Sequence, residues 1–146
     1  MDGKVISVNI SDKKGVRKKP VDEIYVKTDY GLEGDAHASG EWHRQVSLLA
    51  LESIRKMQEK GLEVKPGDFA ENITTEGLDL VTLPLGTKIN IGSEVIGEVS
   101  QKGKECHTRC AIYYQAGDCV MPKEGIFIKV LQGGTVRTGD TVRVDL

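Results

Sequence analysis

The chain has 146 residues, 38% hydrophobic and 29% charged, which is enough for one domain with its own core and too apolar for a disordered chain. A net charge of −2 excludes a general electrostatic attraction to nucleic acid or to an anionic membrane surface. Seventeen glycines against two Phe, four Tyr and one Trp point to a β-rich chain with many tight turns. The opening MDGKVISVNISDKK lacks the apolar core and small-residue cleavage site of a secretory signal, and no run has the length of a membrane span. Three cysteines cannot all pair within one chain, so a reducing cytoplasm is the expected compartment.

In chain order, Lys4 to Ile10 alternates and predicts a strand with one buried face. The basic run Lys13 to Lys19 and Pro20 predict a solvated loop, and the β-branched and aromatic EIYVKT (23–28) predicts a second strand. Tyr30 to Ser47 is an irregular, glycine-rich loop carrying His37, Trp42, His43, Arg44 and Gln45. Asp35 and His37 can simply bond the loop to itself; alternatively His37, Arg44 and Gln45 present donors to an anionic or polar ligand.

Ser47 is placed to cap a helix whose apolar face is Leu48, Leu51, Ile54 and Met57, with Gly61 at its left-handed C-terminal position. A Pro-Gly turn and a short β run around Ile73 follow, with Asn72 able to hold a tight loop. Strands are then predicted over Lys88 to Ile91, Glu94 to Ser100 after a Gly92-Ser93 turn, Gly125 to Leu131 and Thr141 to Leu146, with Gly133-Gly134 as a turn. About seven short strands and one main helix predict a single domain spanning 1–146. Its fold class is mostly β (α+β), a closed or nearly closed barrel with short helical decoration.

All three cysteines fall in KGKECHTRCAIYYQAGDCVMP (102–122). Lys102, Lys104, His107 and Arg109 surround Cys106 and Cys110, and cationic neighbours favour the thiolate, the form that attacks electrophiles and binds soft metals. Burial of inert thiols is the alternative, and it is the simplest role for Cys119. The C-H-x2-C-x8-C spacing departs from the paired C-x2-C of zinc ribbons and fingers, and three cysteines are one short of an iron–sulfur cluster. Walker and dinucleotide-binding loops are absent. One or two activated thiolates in a cationic pocket remain, able to bind a soft metal or to carry a second sulfur atom.

GLEGDAH (31–37), HRQVSLL (43–49), PGDFAENITT (66–75), LGTKINIG (85–92), KGKECHTRC (102–110) and GIFIKVLQGGTVRTGD (125–140) together resemble the MOSC family, the domain related to the C-terminal part of molybdenum-cofactor sulfurases. The chain is most similar to its short, stand-alone bacterial-type members. The resemblance implies a β-barrel that binds the molybdenum cofactor (molybdopterin), or carries sulfur for metal–sulfur centres. It implies Cys110, in an Arg-Cys pair with Arg109, or Cys106, as molybdenum ligand or persulfide acceptor. His37, Arg44 and Gln45 match the family's pocket-facing loop, and Asn72 and Thr74 its polar floor. Arg44 with Lys102 or Lys104 would hold the anionic end of the ligand. No pyridoxal phosphate is expected on this chain, so a cysteine desulfurase or a molybdoenzyme is the expected partner. The alternatives are a small zinc-binding module on the Cys/His cluster and a non-catalytic docking partner of a molybdoenzyme.

Overall fold

Residues 2–12, 17–36, 38–41, 43–102 and 124–144 are described by a computed structural model. Residues 4–10, expected to bury one face, are buried on both around a bulge between Val5 and Ser7. Alternation or β-branched content underlies the strands the sequence predicts. These are β1 (Asp2–Ile10), β3 (Glu23–Lys27), β6 (Ile73–Glu76), β7 (Lys88–Ile91), β8 (Val95–Lys102), β9 (Ile126–Gln132) and β11 (Thr141–Val144). Four more appear where the sequence was less explicit: β2 (Lys19–Val21), β4 (Gly31–Leu32), β5 (Val46–Ala50) and β10 (Gly134–Arg137).

Seven strands close a ring in the order β1-β11-β7-β8-β9-β5-β6, which returns to β1. Neighbours are antiparallel except β5 and β6, which are parallel and joined across helix α1 (Leu51–Glu59), as a parallel pair requires a crossover. β2 pairs with the free end of β1, and β10-β3-β4 form a separate three-stranded sheet. Inside the ring, Val5, Val8, Leu48, Ile73, Ile89, Val99, Ile128 and Val142 belong to one buried cluster. A second, outside it, packs Leu49 and Phe127 of the wall under Ile54 and Met57 of α1 and under Val64 and Phe69.

That two-sided burial corrects the helix start. Ser47 is not the cap. It lies in β5, every residue of which is buried, so VSLLA lacks the alternation that marks a one-sided strand. Ala50 precedes the helix and makes no side-chain cap. The other end is as predicted. Gly61 has φ 89°, its N–H reaches Gln58 O at 3.0 Å and that of Leu62 reaches Met57 O at 3.4 Å, the paired bonds of a Schellman ending. Pro20, expected in a loop, sits in β2, an edge strand where its missing N–H is tolerated. Gly134, expected in a turn, opens β10.

Candidate functional site

One row of side chains crosses the outer wall of the barrel. Gln101 of β8 stands opposite Phe127 of β9, and Phe127 opposite Ser47 of β5. Ser47 is tied to Asn72 by four bonds. Its N–H and Oγ reach Asn72 Oδ1 at 3.0 and 3.2 Å, and Asn72 N–H reaches Ser47 Oγ at 2.9 Å and Ser47 O at 3.0 Å. Asn72 Nδ2 then donates to Asn9 O at 3.3 Å. The Arg44 guanidinium carbon lies 5.4 Å from the Phe127 ring centre, a cation–π contact. His43 Nε2 lies 2.8 Å from Gln101 Oε1, and the His43 carbonyl accepts from Ser100 Oγ. Arg44 and His43 are thereby fixed where β8 runs on towards the cysteines. Lys102 ends β8 and pairs with Ile126, and Glu124, where the described chain resumes, is bonded to Ser53 and Lys56 of α1 at 2.8 and 2.9 Å.

Of the predicted site residues, Arg44, Asn72 and Thr74 therefore share the outer face. Lys102 is exposed but alternates with Gln101, so the register turns it to the other face. Asn72 and Thr74 are fully buried; Thr74 Oγ1 donates to Glu71 Oε2 at 2.7 Å and accepts from Asn9 Nδ2 at 3.3 Å. Gln45 is also buried, with both amide atoms bonded to protein. His37, Lys104, Cys106, His107, Arg109 and Cys110 lie outside the described residues.

Two buried acids lie behind this wall: the sequence offered Asp35 only as a bond within its own loop and did not mark Glu71 at all. Lys18, in the run expected to be solvated, has a fully buried ammonium 2.6 Å from Asp35 Oδ1. Burial alone would raise the Asp35 carboxyl, but the hydrogen bond and charge of Lys18, with the Ser11 N–H and the Asn72 amide, outweigh it and hold the group below its ordinary range. The Lys18 N–H also reaches Gly67 O at 2.8 Å. Gly67 has φ 94°, and a β-carbon there would collide with Lys18 O, so the PGD turn admits little but glycine. No local pattern separates Lys18 from its basic neighbours.

Glu71 is the other acid. It is fully buried, and its Oε1 has no protein partner. Burial pushes its carboxyl upward, against the Thr74 hydroxyl and the N–H groups of Gly67, Glu71 and Phe69. The unfolded chain releases this proton above about pH 4.5, whereas the folded chain keeps it, so stability falls as pH rises from there to the folded pKa. Glu71→Gln removes that slope. In urea unfolding, its stability relative to the parent is expected to climb by about 1.4 kcal/mol per pH unit across that window; parallel curves would show Glu71 already ionised in the fold.

A cleft of about 340 Å³ lies beside Glu124, walled by Ser53, Lys56, Asp79 and Val81; another, of about 430 Å³, lies among Asn90, Glu94, Gln132 and Arg143. Among the described residues, no group of three or more His, Cys, Asp or Glu is placed to hold a metal ion, and no helix is long and apolar enough to cross a membrane.

The fold is similar to that of the YUAD protein from Bacillus subtilis, with a TM-score of 0.81 at 20% identity over 99% of this chain and 96% of that one. YiiM from Geobacillus stearothermophilus gives 0.72 at 20% identity over 99% and 75%, and YiiM from Escherichia coli 0.69 at 24% over 100% and 70%. At these identities the likeness is one of fold. No curated protein matches the chain. The model of the MOSC domain, however, matches residues 35–143, most of the sequence and all of the outer-wall row except Asn9; the chain belongs to the MOSC domain family.

Proposed function

We propose that this protein binds the molybdenum cofactor or carries its terminal sulfur, with a thiolate of Cys110 or Cys106 as molybdenum ligand or persulfide acceptor. MOSC domains are associated with the molybdenum cofactor. The observation that carries the reading to this chain is Arg44 held over Phe127, one strand away from the end of β8, where the cysteine segment begins. Arg44 suits the phosphate of a pterin cofactor, being a planar cation already fixed against an aromatic ring. Lys102, exposed at the strand end, faces away from Arg44, so Arg44 carries the positive charge of this face. Asn72, Thr74 and Gln45 are buried and bonded within the protein, so they support the wall behind the ligand. Among the described residues, Glu71 Oε1 and Thr75 Oγ1 are buried without a hydrogen-bond partner, and Glu71 is bonded directly to that floor through Thr74.

When bound, the cofactor would supply molybdenum redox or sulfido chemistry; the chain's own task is to present a deprotonated sulfur. As a sulfur carrier, the thiolate attacks the outer sulfur of a donor persulfide and the donor leaves as a thiolate, with no net oxidation. The donor is a separate protein, a cysteine desulfurase.

Intact mass and metal content of protein from molybdate-grown cells test this. The expected result is either molybdenum with pterin fluorescence or an added mass of about 32 Da, one sulfur atom. Either signal is lost in Cys110→Ala or in Cys106→Ala and kept in Cys119→Ala. Stoichiometric zinc that survives dialysis, with no molybdenum, pterin or extra sulfur, overturns the proposal in favour of a zinc module.

A further inference from the structure

We infer that Gln45 is a positioning residue that aims Arg44, locking the backbone beside it to β9 and to the 29–39 loop. The inference deepens the reading above and rests on it for the identity of Arg44's ligand. The Gln45 amide makes three hydrogen bonds, one to β9 and two to the 29–39 loop. Its Oε1 accepts from Val130 N–H at 2.9 Å. Its Nε2 donates to Asp29 Oδ1 at 3.0 Å and to Ser39 O at 3.3 Å. The side chain is 1% exposed, so water cannot replace a lost partner.

The partners are themselves constrained. Asp29 has φ 50°, an uncommon conformation for a residue with a β-carbon, and its N–H bonds Val130 O at 2.9 Å. Its carboxyl is held below the ordinary range by the Gln45 hydrogen bond first and by Lys129, 3.5 Å away, second. Gly31 presses on the same point, since a β-carbon there would lie 2.5 Å from Gln45 O.

β5 and β9 pair only from Val46 onward, so the Gln45 side chain continues the ladder where the backbone has stopped. β9 thus grips two adjacent residues, bonding Gln45 at Val130 and stacking Arg44 at Phe127. With the Gln45 backbone pinned, the Arg44 backbone is held where its side chain reaches the Phe127 ring.

Gln45→Glu tests the lock. The new carboxylate keeps the Val130 bond, loses both donations and faces Asp29 at hydrogen-bond distance. Adding Asp29→Asn reverses donor and acceptor, restores the link and leaves Lys129 a carboxylate to pair with; Asn also tolerates the φ of Asp29. Two readouts are taken on the full chain. The first is the upfield ring-current shift of the Arg44 δ-methylene protons in NMR, which needs no ligand. The second is inorganic pyrophosphate binding by calorimetry.

The expected result is loss of the ring-current shift and a drop of about tenfold in affinity, or 1.4 kcal/mol, in Gln45→Glu, with both recovered in the double variant. Gln45→Met, uncharged and unable to bond, gives the same loss if the glutamate variant does not fold. An unchanged ring-current shift in Gln45→Glu or Gln45→Met, or no recovery in the double variant, overturns the inference. A shift that follows the lock while pyrophosphate does not bind even the parent protein overturns the assignment of Arg44's ligand instead.

Discussion

Lys18→Met is expected to cost about 3–5 kcal/mol of unfolding free energy, because it leaves the Asp35 carboxylate buried without its counter-charge. Both partners are sealed, with side-chain exposures of 0% and 1% at 2.6 Å. Asp35 cannot escape the problem by turning to solvent, since it also accepts the Ser11 N–H at 3.1 Å. Adding Asp35→Asn to Lys18→Met should recover more than half of the loss, as no charge then remains inside. Urea unfolding of the two singles and the double gives the coupling directly. Simple additivity would mean that the pair is not the determinant. The sign with pH is also fixed. A carboxyl held below its ordinary value contributes stability above about pH 3.8 and loses it as pH falls through the folded pKa, so the parent's advantage over Lys18→Met must shrink in acid.

Asn72→Ala should be nearly as damaging, about 2–4 kcal/mol, since it removes the side chain that bridges Ser47 of β5 to Asn9 of β1. The Ser47 N–H and the Asn9 carbonyl each lose a bond in a place water does not reach, at about 1–3 kcal/mol for a buried group left unsatisfied. Thermal and urea unfolding measure this. A residue whose role was contact with ligand would show the reverse pattern, with stability unchanged and binding lost.

The architecture was open to reading because alternation is local. β3, β7, β8 and β11 each carry a period of two, β1 and β9 are rich in β-branched and aromatic residues, and Gly61 marks the helix end without reference to anything distant. β5 was hidden for a physical reason. Lying between the inner and outer cores, VSLLA is apolar on both sides, and its leucines then continue into a true helix, so a strand and the turn after it look like one helical stripe. In the site, Arg44 and Asn72 could be selected by residue type, but their functions depend on non-local partners. Asn72 acquires its role from Ser47 and Asn9, Gln45 from Asp29 and Val130, and Lys18 from an acid 17 positions away. An electrostatic pair closed by the fold leaves no periodic trace, so Lys18 looked like its solvated neighbours. The thiols were conspicuous for the opposite reason, since three cysteines among basic residues in one stretch need no fold to be noticed.

The register that sets Lys102 against Ile126 has a structural consequence. The chain quits the ring at one of these residues and rejoins it beside the other, with Glu124 moored to Ser53 and Lys56 at the return. The two strand ends are thus held side by side by pairing among described residues, so the ladder itself closes the ring at this point.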